Sequence, residues 1–102
     1  MSWTNENIGF CYDCGHNWCY APDVDYLSIV GDRLLCTHLH DNFGDKDTHH
    51  IPFEATFDFE KMCQKLKSIG YKGNLTLEMC YTNYKDKLTK DEFVAESKKA
   101  YD

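Results

Sequence analysis

No stretch of this 102-residue chain is apolar for long enough to span a bilayer. The first ten residues are polar, so a secretory leader is not expected either, and a cytoplasmic location is the default expectation. An excess of positive charge is also missing. The formal net charge is -6, which repels nucleic-acid phosphate and anionic lipid alike, so neither nucleic acid nor a membrane is an expected partner. Lys61, Lys65, Lys67, Lys98 and Lys99 are interleaved with acids or lie on polar faces and read as solvated surface. There is no low-complexity segment, no evident linker and no internal repeat. The chain is too short for two cores, and residues 1–102 read as one small domain.

Hydrophobic residues make up 42% of the chain and aromatics 15%, enough to build a core and to exclude a disordered chain. The six cysteines are expected to be reduced in a cytoplasmic setting; a disulfide framework would belong to an exported protein. Cys36, Cys63 and Cys80 each sit inside an apolar pattern and are expected as small buried hydrophobes.

Short apolar runs alternate with helical periods. Residues 7–14, "NIGFCYDC", predict a strand. Pro22 and Asp23 open a short helix with Val24, Leu27 and Val30 on one side and Gly31 as its stop. Residues 34–40, "LLCTHLH", predict a second strand, followed by a long polar loop. Asp58 reads as the N-cap of a helix bearing Phe59, Met62, Cys63, Leu66 and Ile69, closed by Gly70. Residues 73–79, "GNLTLEM", predict a third strand. Thr89 and Glu92 form a capping box for a last helix reaching about Tyr101. The order β-α-β-α-β-α implies a parallel sheet in an α/β fold.

Each predicted strand ends in a residue that a buried strand would not ordinarily carry: Asp13, His38 and Glu78. Alternation puts Asp13 with Gly9 and Cys11 on one face, and Glu78 with Asn74 and Thr76. The opposite, apolar faces should meet the helices. In parallel α/β folds, ligand chemistry gathers at the carboxyl ends of strands. Two carboxylates and an imidazole there suit a divalent ion such as Mn²⁺, Co²⁺, Zn²⁺ or Mg²⁺. His16 follows Asp13, and the long loop adds Asp47, His49 and His50. The plainer alternative makes Asp13 and Glu78 strand-end caps and the histidines loop residues. A zinc knuckle from Cys11, Cys14, His16 and Cys19 also competes, but it lacks a second cysteine pair and places its first two ligands on opposite sides of a strand.

Three stretches together resemble a known family. "YDCGH" is similar to the D-x-G-H strand end of the xylose isomerase-like TIM barrels, a superfamily of sugar isomerases, ketose 3-epimerases, inosose dehydratases and AP endonucleases of the endonuclease IV type. "THLHDNFGDKDTHHIPFEATFDF" resembles its H-x-x-D-N, D-x-H and P-x-x-G-x-x-D-[FW] succession, with Ala55 where the family usually has glycine. "GYKGNLTLEM" resembles its G-Y-x-G-x-L-x-L-E strand. The resemblance runs in order over nearly the whole chain. It implies a (βα)3 partial TIM barrel, corresponding to the last three units of a (βα)8 barrel.

The resemblance also implies roles. Asp13, His38 and Glu78 match metal ligands, and Glu78 doubles as the acid/base of the epimerases. His16 matches a residue that contacts substrate, or a second metal in the endonuclease branch. Asp47 and His49 match the D-x-H pair, which binds metal in the endonucleases and lies at the substrate mouth of many sugar enzymes. The implied function is a metal-dependent sugar or sugar-phosphate isomerase or epimerase domain acting on a small-molecule sugar. The glutamate that the family supplies from strand five has no counterpart here, so at most three of four ligands are expected from this chain. A fragment of a larger protein, a homo-oligomer, or a partner chain supplying the missing strands is therefore expected. A non-catalytic half-barrel and an AP endonuclease-like repair relative are the competing expectations, the latter disfavoured by the acidic charge.

Overall fold

Two of the apolar runs pair side by side. In the computed structural model, which describes residues 8–100, β1 (Phe10–Asp13) lies parallel to β2 (Leu34–His38). The register pairs Phe10 with Leu34, then steps past Leu35 to pair Cys11 with Cys36, Tyr12 with Thr37 and Asp13 with His38. The predicted strand start at residue 7 lies outside the described residues.

The segment expected as a third strand forms a single parallel bridge, Leu39 to Leu77, instead of a ladder. The Leu39 N–H donates to the Thr76 carbonyl at 2.7 Å, and the Glu78 N–H donates to the Leu39 carbonyl at 2.9 Å. One step earlier the Thr37 hydroxyl takes over the backbone's part. It donates to the Asn74 carbonyl at 3.1 Å and accepts from the Thr76 N–H at 3.3 Å. A side chain thus fills the gap in which ladder bonds would run, and the sheet has two strands.

A helix absent from the sequence expectation follows β1 at once. α1 (Cys14–Tyr20) starts where the strand ends, because the Asp13 carboxylate accepts the His16 N–H at 2.9 Å and caps it. Cys14 is therefore helical and not the last strand residue. α2 (Tyr26–Val30) opens three residues later than expected, at Asp25, whose side chain accepts the Ser28 N–H. Val24 falls outside it, and Gly31 at φ 53 ends it.

α3 (Phe59–Ser68) begins at Asp58 as expected, with the Lys61 N–H bonded to its carboxylate at 2.9 Å. It buries Phe59, Met62 and Leu66, one helical stripe, against Tyr12, Cys14, Leu27, Leu34 and Leu39. α4 (Lys90–Lys99) carries the complete Thr89–Glu92 capping box; its expected end at Tyr101 lies outside the described residues. Among the described residues no helix is long and apolar enough to cross a membrane.

Among the described residues, only one face of the sheet meets the helices. Tyr12 and Thr37 are buried on it, while Cys11, Cys36 and His38 on the other face are exposed. Cys36, Cys63 and Cys80 are thus exposed where burial was expected. Cys36 points to the uncovered face, and Cys63 sits at the solvent margin of the α3 stripe.

The long loop is held by one carboxylate. Asp41 is fully buried. Its Oδ1 accepts the backbone N–H groups of Asn42 and Phe57, and its Oδ2 those of Phe53 and Ala55, all at 2.8–3.0 Å. Asn42 ties the same loop to α1 by donating to the Gly15 carbonyl at 2.9 Å. Replacing Asp41 by alanine would leave these buried donors without an acceptor. Urea unfolding of Asp41→Ala is expected to show a loss of about 3 kcal/mol or more; a change under about 0.5 kcal/mol, the range of ordinary surface substitutions, would refute this role.

Candidate metal centre

Two groups of potential ligands form where β1, β2 and the bridged segment end. The first is Asp13, His38 and Glu78, whose donor atoms all lie within 4.8 Å of one another. The backbone explains the meeting. Asp13 and His38 are Cα partners, and the Leu39–Leu77 bridge sets Glu78 beside them. His38 Nδ1 stands 3.4 Å from Glu78 Oε2, and both side chains are nearly half exposed (47% and 46%), open to a ligand from outside.

The second group is His16, His40, Asp47 and His49, again within 4.8 Å. Asp47 is its centre. His16 Nε2 lies 2.8 Å from Oδ2, and His49 Nε2 3.1 Å from Oδ1. His49 turns its other nitrogen, Nδ1, to donate to the Glu78 carbonyl at 2.8 Å, so Nε2 is the atom left to coordinate. Burial of His49 favours the neutral ring, but the Glu78 carbonyl and the Asp47 charge outweigh it and raise its pKa above the ordinary imidazole value.

Asp13 joins the two groups. Its Oδ1 is 2.7 Å from His40 Nε2, and its Oδ2 is 3.1 Å from His16 Nδ1. Burial would raise its carboxyl. The hydrogen bonds from the His40 ring and the His16 backbone, with the charges of both rings, overcome this and hold it below the usual carboxylate range. The group is therefore an anion, as a metal ligand must be.

All the residues singled out from sequence fall in these groups except His50, whose Nδ1 faces the Tyr84 hydroxyl at 3.3 Å. The residue missed as a candidate is His40. It is fully buried, stacked on His49 with ring centroids 3.8 Å apart and planes 8° from parallel. Its Nδ1 and Asp47 Oδ1 are both buried without a hydrogen-bond partner, 3.8 Å apart. Orphaned acceptors of this kind fit a nearby cation. The cysteines of the knuckle reading separate: Cys11 is exposed on the open face, and the buried Cys14 thiol donates to the His40 carbonyl at 3.3 Å.

A family-level sequence profile described as "Xylose isomerase-like TIM barrel" matches residues 2–99. The chain belongs to this family. It is 35% identical over 83 residues to an uncharacterized protein of Sinorhizobium fredii (strain NBRC 101917 / NGR234), a match covering 80% of this chain and 27% of that one. It is 33% identical over 58 residues to the fructoselysine 3-epimerase of Escherichia coli O157:H7, covering 57% and 21%. A crystal structure of a D-tagatose 3-epimerase-like protein superposes with a TM-score of 0.65 at 27% identity, covering 97% of this chain and 38% of that one. The chain thus spans about a quarter of these curated relatives. The described residues form part of a xylose isomerase-like barrel, with two parallel strands and four helices.

Gly15 sets the position of His40. A Cβ at residue 15 would lie 1.9 Å from His40 Cε1 and 2.2 Å from Nδ1. Gly15→Ala is expected to push the ring off Asp13 and to cost about 1–3 kcal/mol in chemical denaturation, as overpacking does. Wild-type stability together with an unshifted His40 ring signal by NMR would rule this out.

Proposed function

We propose that this chain carries the metal-ligand end of a sugar isomerase or epimerase barrel. The observation that carries the reading is the convergence of the Asp13, His38 and Glu78 donor atoms within 4.8 Å. Two oxygens and one imidazole nitrogen fit Mn²⁺, Co²⁺, Zn²⁺ or Mg²⁺. A bound ion would supply Lewis acidity to the carbonyl and neighbouring hydroxyl of a sugar. Glu78, half exposed beside that position, would take the proton from the adjacent C–H and return it. His16, 48% exposed at the edge of the group, would hydrogen-bond a substrate hydroxyl.

Three ligands leave a divalent ion short of its preferred number, so we assign the remainder to further barrel units, from the rest of a longer chain, a partner chain or a second copy. The open edge of β1 supports this. An apolar cleft of about 590 Å³, lined by Phe10, Tyr12, Tyr20, Tyr26 and Ile29, runs along it, the kind of surface that another element covers. The His16–Asp47–His49 arrangement favours a second reading, a metal-dependent AP endonuclease relative, against which the net charge of -6 stands.

Calorimetric titration with Mn²⁺ or Co²⁺ is expected to show binding that weakens by more than about tenfold in Glu78→Gln, and that declines as pH falls and the ligands protonate. Ketose isomerisation or epimerisation by the assembled protein should disappear in the same variant; turnover unaffected by Glu78→Gln would overturn the role given to that residue. Retention of no divalent ion would favour a non-catalytic half-barrel, and nicking of abasic duplex would favour the endonuclease reading.

A further inference from the structure

The open face of the sheet carries a pair of groups that neither ligand cluster uses. Cys11 and Cys36 are Cα partners across β1 and β2, both free and both exposed. Asp13 and His38 are partners two residues farther along each strand, hence on the same face. The two thiols form the step directly beneath the Asp13–His38–Glu78 group.

Geometry decides what such a pair can do. Adjacent strands run about 4.8 Å apart with their side chains nearly parallel. A disulfide needs Cβ atoms about 3.8 Å apart and convergent, which in-register parallel neighbours do not offer without backbone movement. A tetrahedral ion with metal–sulfur bonds of about 2.3 Å bridges sulfurs about 3.8 Å apart, which parallel side chains reach by rotation alone.

We propose that Cys11 and Cys36 form a chelating dithiol for a thiophilic divalent cation of the Cd²⁺ or Zn²⁺ type, with solvent completing its shell. Each thiol releases a proton to solvent as its sulfur bonds the ion, and no electron changes hands. The selectivity follows from donor softness: thiolates retain Cd²⁺ and Zn²⁺, whereas Mg²⁺ and Mn²⁺ keep to the oxygen-rich group above.

The test is titration of the reduced full chain with Cd²⁺, followed by thiolate-to-metal charge-transfer absorption. One equivalent per chain is expected in the wild type, with the band lost in Cys11→Ser and in Cys36→Ser and kept in a Cys63→Ser/Cys80→Ser control. Mn²⁺ binding in Cys11→Ser is expected to match the wild type, so failure of the upper site and failure of the dithiol read out separately. X-ray absorption of the wild-type Cd²⁺ complex, which depends on no variant, should show two sulfur neighbours. A band unchanged in both serine variants, or a shell of nitrogen and oxygen only, overturns the proposal.

Discussion

The carboxylate of Asp13 is the interaction on which the rest of the site depends. One side chain ends β1, caps α1 through the His16 N–H, and accepts from the buried His40 ring. It also stands within ligand distance of His38 and Glu78. These tasks are compatible only for an anion at the meeting point of a strand end and a helix start. The helix start offers N–H donors that a carboxylate can satisfy. The cost of partial burial is offset by charge-assisted hydrogen bonds, which is why the acid stays ionised. A neutral residue of the same shape would keep an acceptor for the cap but lose the charge that strengthens the bond to His40 and that a metal ligand requires.

Beneath the chemistry lies a second carboxylate with a purely architectural task. Asp41 collects backbone N–H groups from Asn42 through Phe57, and so folds a long polar loop into a fixed shape. That shape keeps two non-glycine residues in the left-handed region, His49 at φ 53 and Phe53 at φ 76. Such backbone is retained only where the surroundings over-determine it. At Phe53 the Asp41 carboxylate holds the N–H directly, and at His49 the ring bonds the Glu78 carbonyl. Asp47 and His49 face His16 because the loop has no freedom to place them elsewhere.

What could be read in the sequence was what depends on local spacing. Asp58 and the Thr89–Glu92 pair cap the helices they were expected to cap, because a cap is decided within four residues. Asp13, His38 and Glu78 were legible because period-two alternation and the ends of apolar runs locate them. α1 was not, since its start overlaps the end of β1 and its cap is the same Asp13 that reads as a strand terminus. His40 escaped for a nonlocal reason: its place is made by the missing side chain of Gly15, twenty-five positions earlier, whose Cβ would occupy the ring's space. The third strand shrank to a bridge because the Thr37 hydroxyl, not the backbone, meets Asn74 and Thr76.

The exposed cysteines follow from the same one-sided packing. An apolar pattern reports that a strand has partners on some face, not that both faces are covered. Here Tyr12 and Thr37 take the helix side, and the opposite side presents Cys11, Cys36, His38 and Glu78 to solvent. Within a closed barrel that side would be interior, and its residues can be polar only as far as they satisfy one another or a ligand. The thiol pair, the carboxylates and the imidazole form a column of donors graded from soft to hard along two strands. The hard donors stand at the strand ends, and the thiols lie two residues before them on the same face.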